Sequence, residues 1–259
     1  RSFKPKRSKN PLMKHAKRHP LIFGTIILTA TGLITRVIGF FYRIYLSRLF
    51  GEEGMGIYQL LSPALSLSFS LTAAGYQTAI SKYVAADSAK RPSGNLKPLL
   101  AGTSITLPLS LVTNAILFFS ADPIGIFLLK DHRTVPMLRI LSFSVPFAAL
   151  HACINGYFYG KKKASVPALT QLLEQLARVS CVFLVTGADL AEGRTPSINA
   201  AVLGLTVGEI FSMLIALVCL YIHLYPGSSI LSLRNICPSV PVYRDLLGMA
   251  LPLTANRIV

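Results

Sequence analysis

Apolar residues in this 259-residue chain fall in long unbroken runs, not in alternating or one-faced patterns. Six runs, at about 21–50, 57–85, 97–120, 135–159, 166–187 and 199–224, reach the roughly 20 residues an α-helix needs to cross a bilayer. A seventh begins near Leu246. The pattern predicts an all-α fold, a polytopic bundle of membrane helices. At about 1.5 Å per residue the first run would extend about 45 Å, against a hydrocarbon core of about 30 Å, so it must tilt or project. Pro63, Pro108, Pro146 and Pro167 lie in or at the ends of runs, where membrane helices accept them better than soluble ones do.

The connections between runs alternate in charge. The segment before Leu21 holds Arg1, Lys4, Lys6, Arg7, Lys9, Lys14, Lys17 and Arg18, whereas the next connection, "GEEGMG", has no basic residue. Lys90, Arg91 and Lys97 follow, then Lys130 and Arg133 offset by Asp122 and Asp131. Next come Lys161, Lys162 and Lys163, then Arg194 beside Asp189 and Glu192, and then Arg234 and Arg244. Basic connections stay on the cytosolic side of a membrane, so the N-terminus is expected in the cytosol and six crossings return the chain there.

The expected organisation is a basic cytosolic tail (1–20), a six-helix lobe (21–224), a cytosolic linker (225–245) and the start of a seventh helix (246–259). Prolines in "YPGSS" and "SLRNICPSVPVYRD" argue against a continuous helix through the linker. The chain opens at Arg1, has a natural-looking start at Met13, and stops within an apolar run. It therefore reads as part of a larger, two-lobed protein, with residues 1–12 as an upstream extension.

Composition narrows the functional classes. The chain is 52% hydrophobic and only 14% charged, where soluble domains carry about 25%. Its net charge of +16 sits mostly in the tail and connections, which is what membrane orientation requires and which argues against nucleic-acid binding. Cys153, Cys181 and Cys219 fall in apolar runs and Cys237 in the linker, with no C-x-x-C pair, so free thiols are expected and no metal or cofactor. Phosphate-binding loops, H-E-x-x-H, G-x-S-x-G and catalytic acidic pairs are absent, so no catalytic residue is assigned and the protein is not read as an enzyme.

The unusual feature is "GLITRVIGFFYRIYLSRLFG", a membrane run holding Arg36, Arg43 and Arg48. Thr29, Gly32, Arg36, Gly39 and Arg43 recur at spacings of three and four and share one helix face. An arginine at mid-membrane costs about 2.5–3.5 kcal/mol on insertion scales, so it faces a bundle interior or a wet cavity. Guanidinium groups there suit an anion, and phosphate above all, which arginine binds bidentately. The alternative is that Arg36 pairs with a carboxylate on another helix while Arg43 snorkels outward, as Arg48 does at the outer end.

Acidic partners are few. Glu174 and Arg178, four residues apart, read as a structural pair. Glu209 either pairs with Arg139 or Arg36 or binds a coupling cation. His151 and Asn155, one turn apart, read as packing hydrogen bonds. Gln59, Ser62, Ser66, Ser68, Ser70, Thr72 and Gln77 form either a cavity wall or helix-packing polar contacts.

These residues carry a resemblance. "TRVIGFFYRIYLSRLFG", "EGMGIYQL", "AGYQTAISKYVA" and "ALPLTANRIV" resemble the polysaccharide-biosynthesis and stage V sporulation protein B group. That group lies in the multidrug/oligosaccharidyl-lipid/polysaccharide exporter superfamily, beside MurJ-type lipid II flippases. The resemblance implies two six-helix lobes around a V-shaped cavity. It also implies alternating-access movement of undecaprenyl-pyrophosphate-linked sugars, such as a peptidoglycan precursor, across the bacterial cytoplasmic membrane. It places Arg36 and Arg43 in the cavity and makes Arg257 the matching arginine of the second lobe. The expected partners are the lipid bilayer, an anionic lipid-linked oligosaccharide and a coupling cation. Three rivals remain: a multidrug exporter of the same fold, which would need an apolar cavity and an essential carboxylate; a non-transporting scaffold for cell-wall enzymes; and an integral-membrane transferase, against which the missing acidic cluster argues.

Overall fold

A computed structural model of the chain describes residues 20–90, 96–224 and 238–258. The expected tail and most of the linker, with Arg234 and Cys237, lie outside the described residues.

All the regular structure among the described residues is helical. In chain order the helices are α1 (Pro20–Leu60), α2 (Ser62–Phe69), α3 (Gly75–Lys90), α4 (Lys97–Phe119), α5 (Thr134–Ser142), α6 (Ser144–Gly160), α7 (Ser165–Ala191), α8 (Asn199–Leu224) and α9 (Val240–Ile258). Five stretches are long and apolar enough to span a bilayer. The first, Gly24–Ser88, has 65 residues, enough for two crossings, and the others correspond to α4, α5 with α6, α7 and α8.

Two expectations need correction. "GEEGMG" is not an open connection: the chain turns at Gly51 alone (φ 69, ψ −175), and Glu52 onward is helical again. Those dihedrals lie in a region essentially reserved for glycine, so one residue makes the whole break. The seventh helix also begins earlier than Leu246, at Val240. Pro241 sits in its first turn, where a missing backbone N–H breaks no helical bond. The same reasoning covers Pro63 in the first turn of α2, and Pro146 and Pro167 near the starts of α6 and α7.

Between α2 and α3 the helix widens into a π turn, Ser70–Ala74. Hydroxyls satisfy themselves along this stretch: Ser68 Oγ donates to Ala64 O at 2.8 Å and Thr72 Oγ1 to Ser68 O at 2.7 Å. That local pairing lets polar residues sit in an apolar bundle.

Packing runs through small residues. On α6, "GYFYG" places Gly156 and Gly160 against α3 so closely that added Cβ atoms would meet Gln77 O at 2.5 Å and Ser81 O at 2.7 Å. The largest buried cluster forms there, around Ile80, Val84, Tyr157 and Phe158, and is closed by Leu246 and Ala250 of α9. Helix α1 packs along α7, where the Tyr45 hydroxyl and Thr186 Oγ1 are 2.7 Å apart and Tyr45 stacks on Phe183 at 4.1 Å. Outward-facing side chains are large and apolar: Leu33, Phe40, Phe41, Phe119 and Leu184 are all more than 60% exposed. Such a surface fits lipid and would be an aggregation hazard in water.

Charged loop residues form separate groups. Arg133 bridges Glu53 (2.7 Å) and Asp131 (3.1 Å), and Arg194 bridges Asp189 and Glu192. Elsewhere, Lys163 Nζ lies 2.9 Å from His223 Nδ1 and Lys161 sits over the Tyr157 ring. Burial against the bundle holds Lys161 below the usual lysine range.

Candidate functional site

Two polar regions lie within the apolar bundle. The first begins on α1. Its face toward α7 carries Tyr42 and Leu46, both buried, with Gly39 within contact distance of Gln175. Arg36, Arg43 and Arg48 lie off that face and are exposed. None of the three makes an ion pair among the described residues, so the alternative pairing of Arg36 with Glu209 is not realised.

Arg43 opens into a cavity of about 560 Å³, lined also by Tyr58 and Gln59 of α1 and by Ser62, Pro63, Leu65 and Ser66 of α2. The break at Gly51 makes this possible, because it folds the last turns of α1 and all of α2 back beside the arginine helix. One guanidinium, one carboxamide, one phenol and two serine hydroxyls thus converge on a space the size of a small-ligand pocket. Every one of these groups can donate a hydrogen bond, the complement an oxyanion requires. On its other side Arg43 also borders a shallower depression with Phe40, Ile44, Ser47 and Arg48. Arg36 stands seven residues before Arg43, two turns along the same face, and borders neither space. Arg257, near the end of α9, is exposed and likewise borders neither.

The second region is buried between α6, α7 and α8. Glu174 of α7 pairs with Arg178 of the same helix through a close Oε1–Nη2 contact, as the four-residue spacing predicts. Glu209 of α8 does not meet Arg139, which pairs instead with Asp122 at 2.6 Å. It faces His151 of α6 instead, whose Nδ1 lies 3.6 Å from Glu209 Oε2. His151 Nδ1 is also 3.1 Å from Ser212 Oγ, and its Nε2 is 2.8 Å from Asn155 Nδ2. The His151–Asn155 hydrogen bond is therefore part of a larger polar cluster across three helices, which sequence spacing alone did not reveal.

A cavity of about 230 Å³ reaches this cluster, lined by Gln77, His151, Asn155, Tyr159, Gln171, Glu174 and Glu209 among others. The nearest ligand atoms of His151, Glu174 and Glu209 lie within 4.8 Å of one another, a grouping able to surround one small cation. The helices approach closely enough because of "GLTVG" on α8: added Cβ atoms at Gly204 and Gly208 would meet Arg178 O at 3.0 Å and Glu174 O at 3.1 Å. That four-residue glycine spacing was the signal in the sequence that could have located the cluster.

The matched family model, described as "Polysaccharide biosynthesis protein", covers residues 21–259. Among curated proteins of Bacillus subtilis (strain 168), the chain is 33% identical to stage V sporulation protein B over 237 residues, 91% of this chain and 46% of that protein. It is 27% identical to the lipid II flippase MurJ over 179 residues, 66% of this chain and 32% of that protein. The chain thus spans less than half the length of these relatives. Among solved structures it resembles a multidrug/oligosaccharidyl-lipid/polysaccharide superfamily transporter from Pyrococcus furiosus, with a TM-score of 0.74 at 17% identity over 92% of this chain and 52% of that one. An outward-facing multidrug-resistance transporter of the same superfamily gives a TM-score of 0.70 at 17% identity, with the same coverage. At such identity these structures speak for the fold: the helices described above correspond to about half of each transporter.

Proposed function

The chain belongs to the polysaccharide biosynthesis protein family, within the multidrug/oligosaccharidyl-lipid/polysaccharide exporter superfamily, and from that premise we propose that it forms one lobe of a lipid-linked oligosaccharide flippase. The passenger is an undecaprenyl-pyrophosphate-linked sugar, a peptidoglycan precursor or another cell-wall unit such as one made during sporulation. It crosses the bacterial cytoplasmic membrane by alternating access, with the N-terminus of the chain in the cytosol.

The observation that carries this reading is the cavity at Arg43. A pyrophosphate offers several anionic oxygens, and the guanidinium meets two of them while Gln59, Ser62 and Ser66 donate to others. The polyprenyl tail stays among the exposed apolar side chains of α1, Phe40 and Phe41. Arg36 extends the positive surface along the same helix face, and Arg257 contributes from the start of the second lobe. No bond in the passenger is made or broken, so the protein works by binding and reorientation, without enzymatic chemistry.

The test uses the full-length protein in cells depleted of their own lipid II flippase, scoring how much precursor becomes accessible outside at matched membrane abundance. Wild type restores exposure, Arg43→Ala loses most of it, and Arg36→Ala loses less. Equal rescue by wild type and Arg43→Ala would remove this cavity from the mechanism. A wild type that rescues nothing would remove lipid II as passenger and turn attention to other lipid-linked sugars.

A further inference from the structure

We propose that a groove between α4, α6, α8 and α9 binds one acyl chain of an anionic phospholipid, whose phosphate is held by basic residues at the groove's rim. The groove has a volume of about 600 Å³, within the range of small-ligand sites. Its lining is mostly apolar, from Leu99, Leu100 and Leu107 of α4, Ile154 of α6, and Leu217 and Leu220 of α8. Helices α4, α6 and α8 belong to stretches long and apolar enough to span a bilayer, so the groove lies at membrane depth. Val218 and Tyr221, which adjoin it on α8, are exposed, as lipid-facing residues are.

The hydroxyls in the wall are already satisfied within the protein. Thr103 Oγ1 donates to Leu100 O at 3.1 Å, and Ser104 Oγ donates to Ala101 O at 2.9 Å. Because the Ser104 hydrogen is used in that way, the Tyr243 hydroxyl donates to Ser104 Oγ, 3.0 Å away. A wall whose hydroxyls are engaged takes hydrocarbon more readily than a sugar, which would bury polar groups without partners. The Tyr243–Ser104 bond also ties α9 to α4, so a chain seated in the groove packs against both.

Charge at one end selects the lipid. Lys97, Leu100, Ser104 and Leu107 recur at spacings of three and four and share one face of α4, with the lysine at its head. Arg244 follows Tyr243, is exposed, and makes no ion pair among the described residues. One turn beyond Leu220, His223 Nδ1 lies 2.9 Å from Lys163 Nζ. Three separate segments thus bring basic groups to the end of the groove where α4 and α9 begin and α8 ends. The acidic residues at that end, Asp87 and Asp245, lie toward Tyr83 of α3. Asp245 stands about 200° round α9 from Tyr243, away from the groove. A headgroup at this rim therefore meets net positive charge, the complement of a lipid phosphate. None of the groove's lining residues borders the space at Arg43. The chain held here is that of a resident lipid, and the site does not depend on the flippase reading.

The test places full-length protein in phosphatidylcholine nanodiscs with a trace of phosphatidylglycerol or phosphatidylcholine carrying a photoactivatable acyl chain. Mass spectrometry then maps the cross-links. Phosphatidylglycerol should label residues 99–107 and 217–220 about tenfold more than phosphatidylcholine does. Lys97→Gln and Arg244→Gln should each lower that labelling about fivefold, while Lys130→Gln leaves it unchanged. Leu100→Trp, which fills the groove, should remove it; if that variant does not fold, Thr103→Phe narrows the same space and should lower it. Equal labelling by the two lipids, or labels spread over lipid-facing residues such as Phe119 and Leu184, would overturn the proposal. So would displacement of the label by undecaprenyl phosphate but not by unlabelled phosphatidylglycerol, which would make the groove a seat for a passenger's tail. Because labelling is read without transport, a failure here is distinct from a failure of the flippase assay.

Discussion

Arg178 on α7 has only 19% of its side chain exposed and is held by Glu174, whereas Arg36 and Arg43 on α1 are exposed and make no ion pair among the described residues. Both regions place guanidinium groups within apolar helices, and the same cost of removing charge from water applies to both. In the α6–α7–α8 cluster the protein supplies the opposite charge to Arg178 itself, through Glu174. Along α1 no carboxylate pairs with Arg36 or Arg43 among the described residues, and both are left exposed. A paired charge is satisfied within the bundle, while an unpaired one is available to something that comes from outside.

The sharpest way to break that contrast is to remove the arginines one at a time and measure stability. Arg178→Gln should destabilise the purified protein by about 3 kcal/mol, because it strands a buried carboxylate. Arg36→Gln and Arg43→Gln should stay within about 0.5 kcal/mol of wild type, since neither holds a partner. Thermal unfolding in detergent reads all three, and a large loss at Arg43 would mean it is structural after all. A smaller effect is expected at the glycine contact that fixes the cluster. Gly204→Val forces a side chain toward Val182 Cγ2, already 2.5 Å from an added Cβ, and should cost about 2 kcal/mol. If it costs nothing, α7 and α8 are not as rigidly joined as the paired region requires.

On the other side of the comparison, the anion cavity depends on the turn at Gly51. Gly51→Ala should cost about 1 kcal/mol or somewhat more through its backbone conformation, and should reduce transport while leaving the Glu174–Arg178 pair intact. Unchanged transport would show that the cavity tolerates a different fold-back. The smallest effect belongs to the exposed Arg133 bridge. The side-chain hydrogen bond from Arg133 holds Asp131 below the ordinary carboxylate range. Its stabilising contribution is therefore present above the unfolded value of about 3.9 and is lost as pH falls through the lowered folded value. The melting temperatures of wild type and Arg133→Gln should differ slightly at pH 6 and converge below about pH 4. A gap that widens on acidification would contradict the assigned cause.

Much of this architecture is legible from hydropathy and proline placement, since both act within one helix. Six spans, the i,i+4 pair of Glu174 and Arg178, and the shared face of Arg36 and Arg43 all follow from local periodicity. Glu209 shows where that stops. Its partner depends on how α8 sits against α7 and α6, which is set by contacts between helices, such as those of Gly204 and Gly208 with α7, and not by periodicity within α8. Arg139 illustrates the same limit: it meets Asp122, seventeen residues away across a turn, because the helical turn at Ala121–Pro123 carries that carboxylate back toward α5. The Gly51 fold-back was hidden for a different reason: a one-residue break leaves almost no gap in the apolar pattern.

The π turn at Ser70–Ala74 has a consequence for length variation in this segment. A π turn accommodates about one residue more than an α turn, so deleting one residue there would restore an ordinary α-helix without opening a gap in the backbone. The helix on either side would keep its faces, so Gln77 would stay at its cavity and α3 would still receive Gly156 and Gly160. In a regular membrane helix the loss of one residue turns everything after it by about 100°; here the widened turn holds the spare residue, and the segment can lose it and keep its packing.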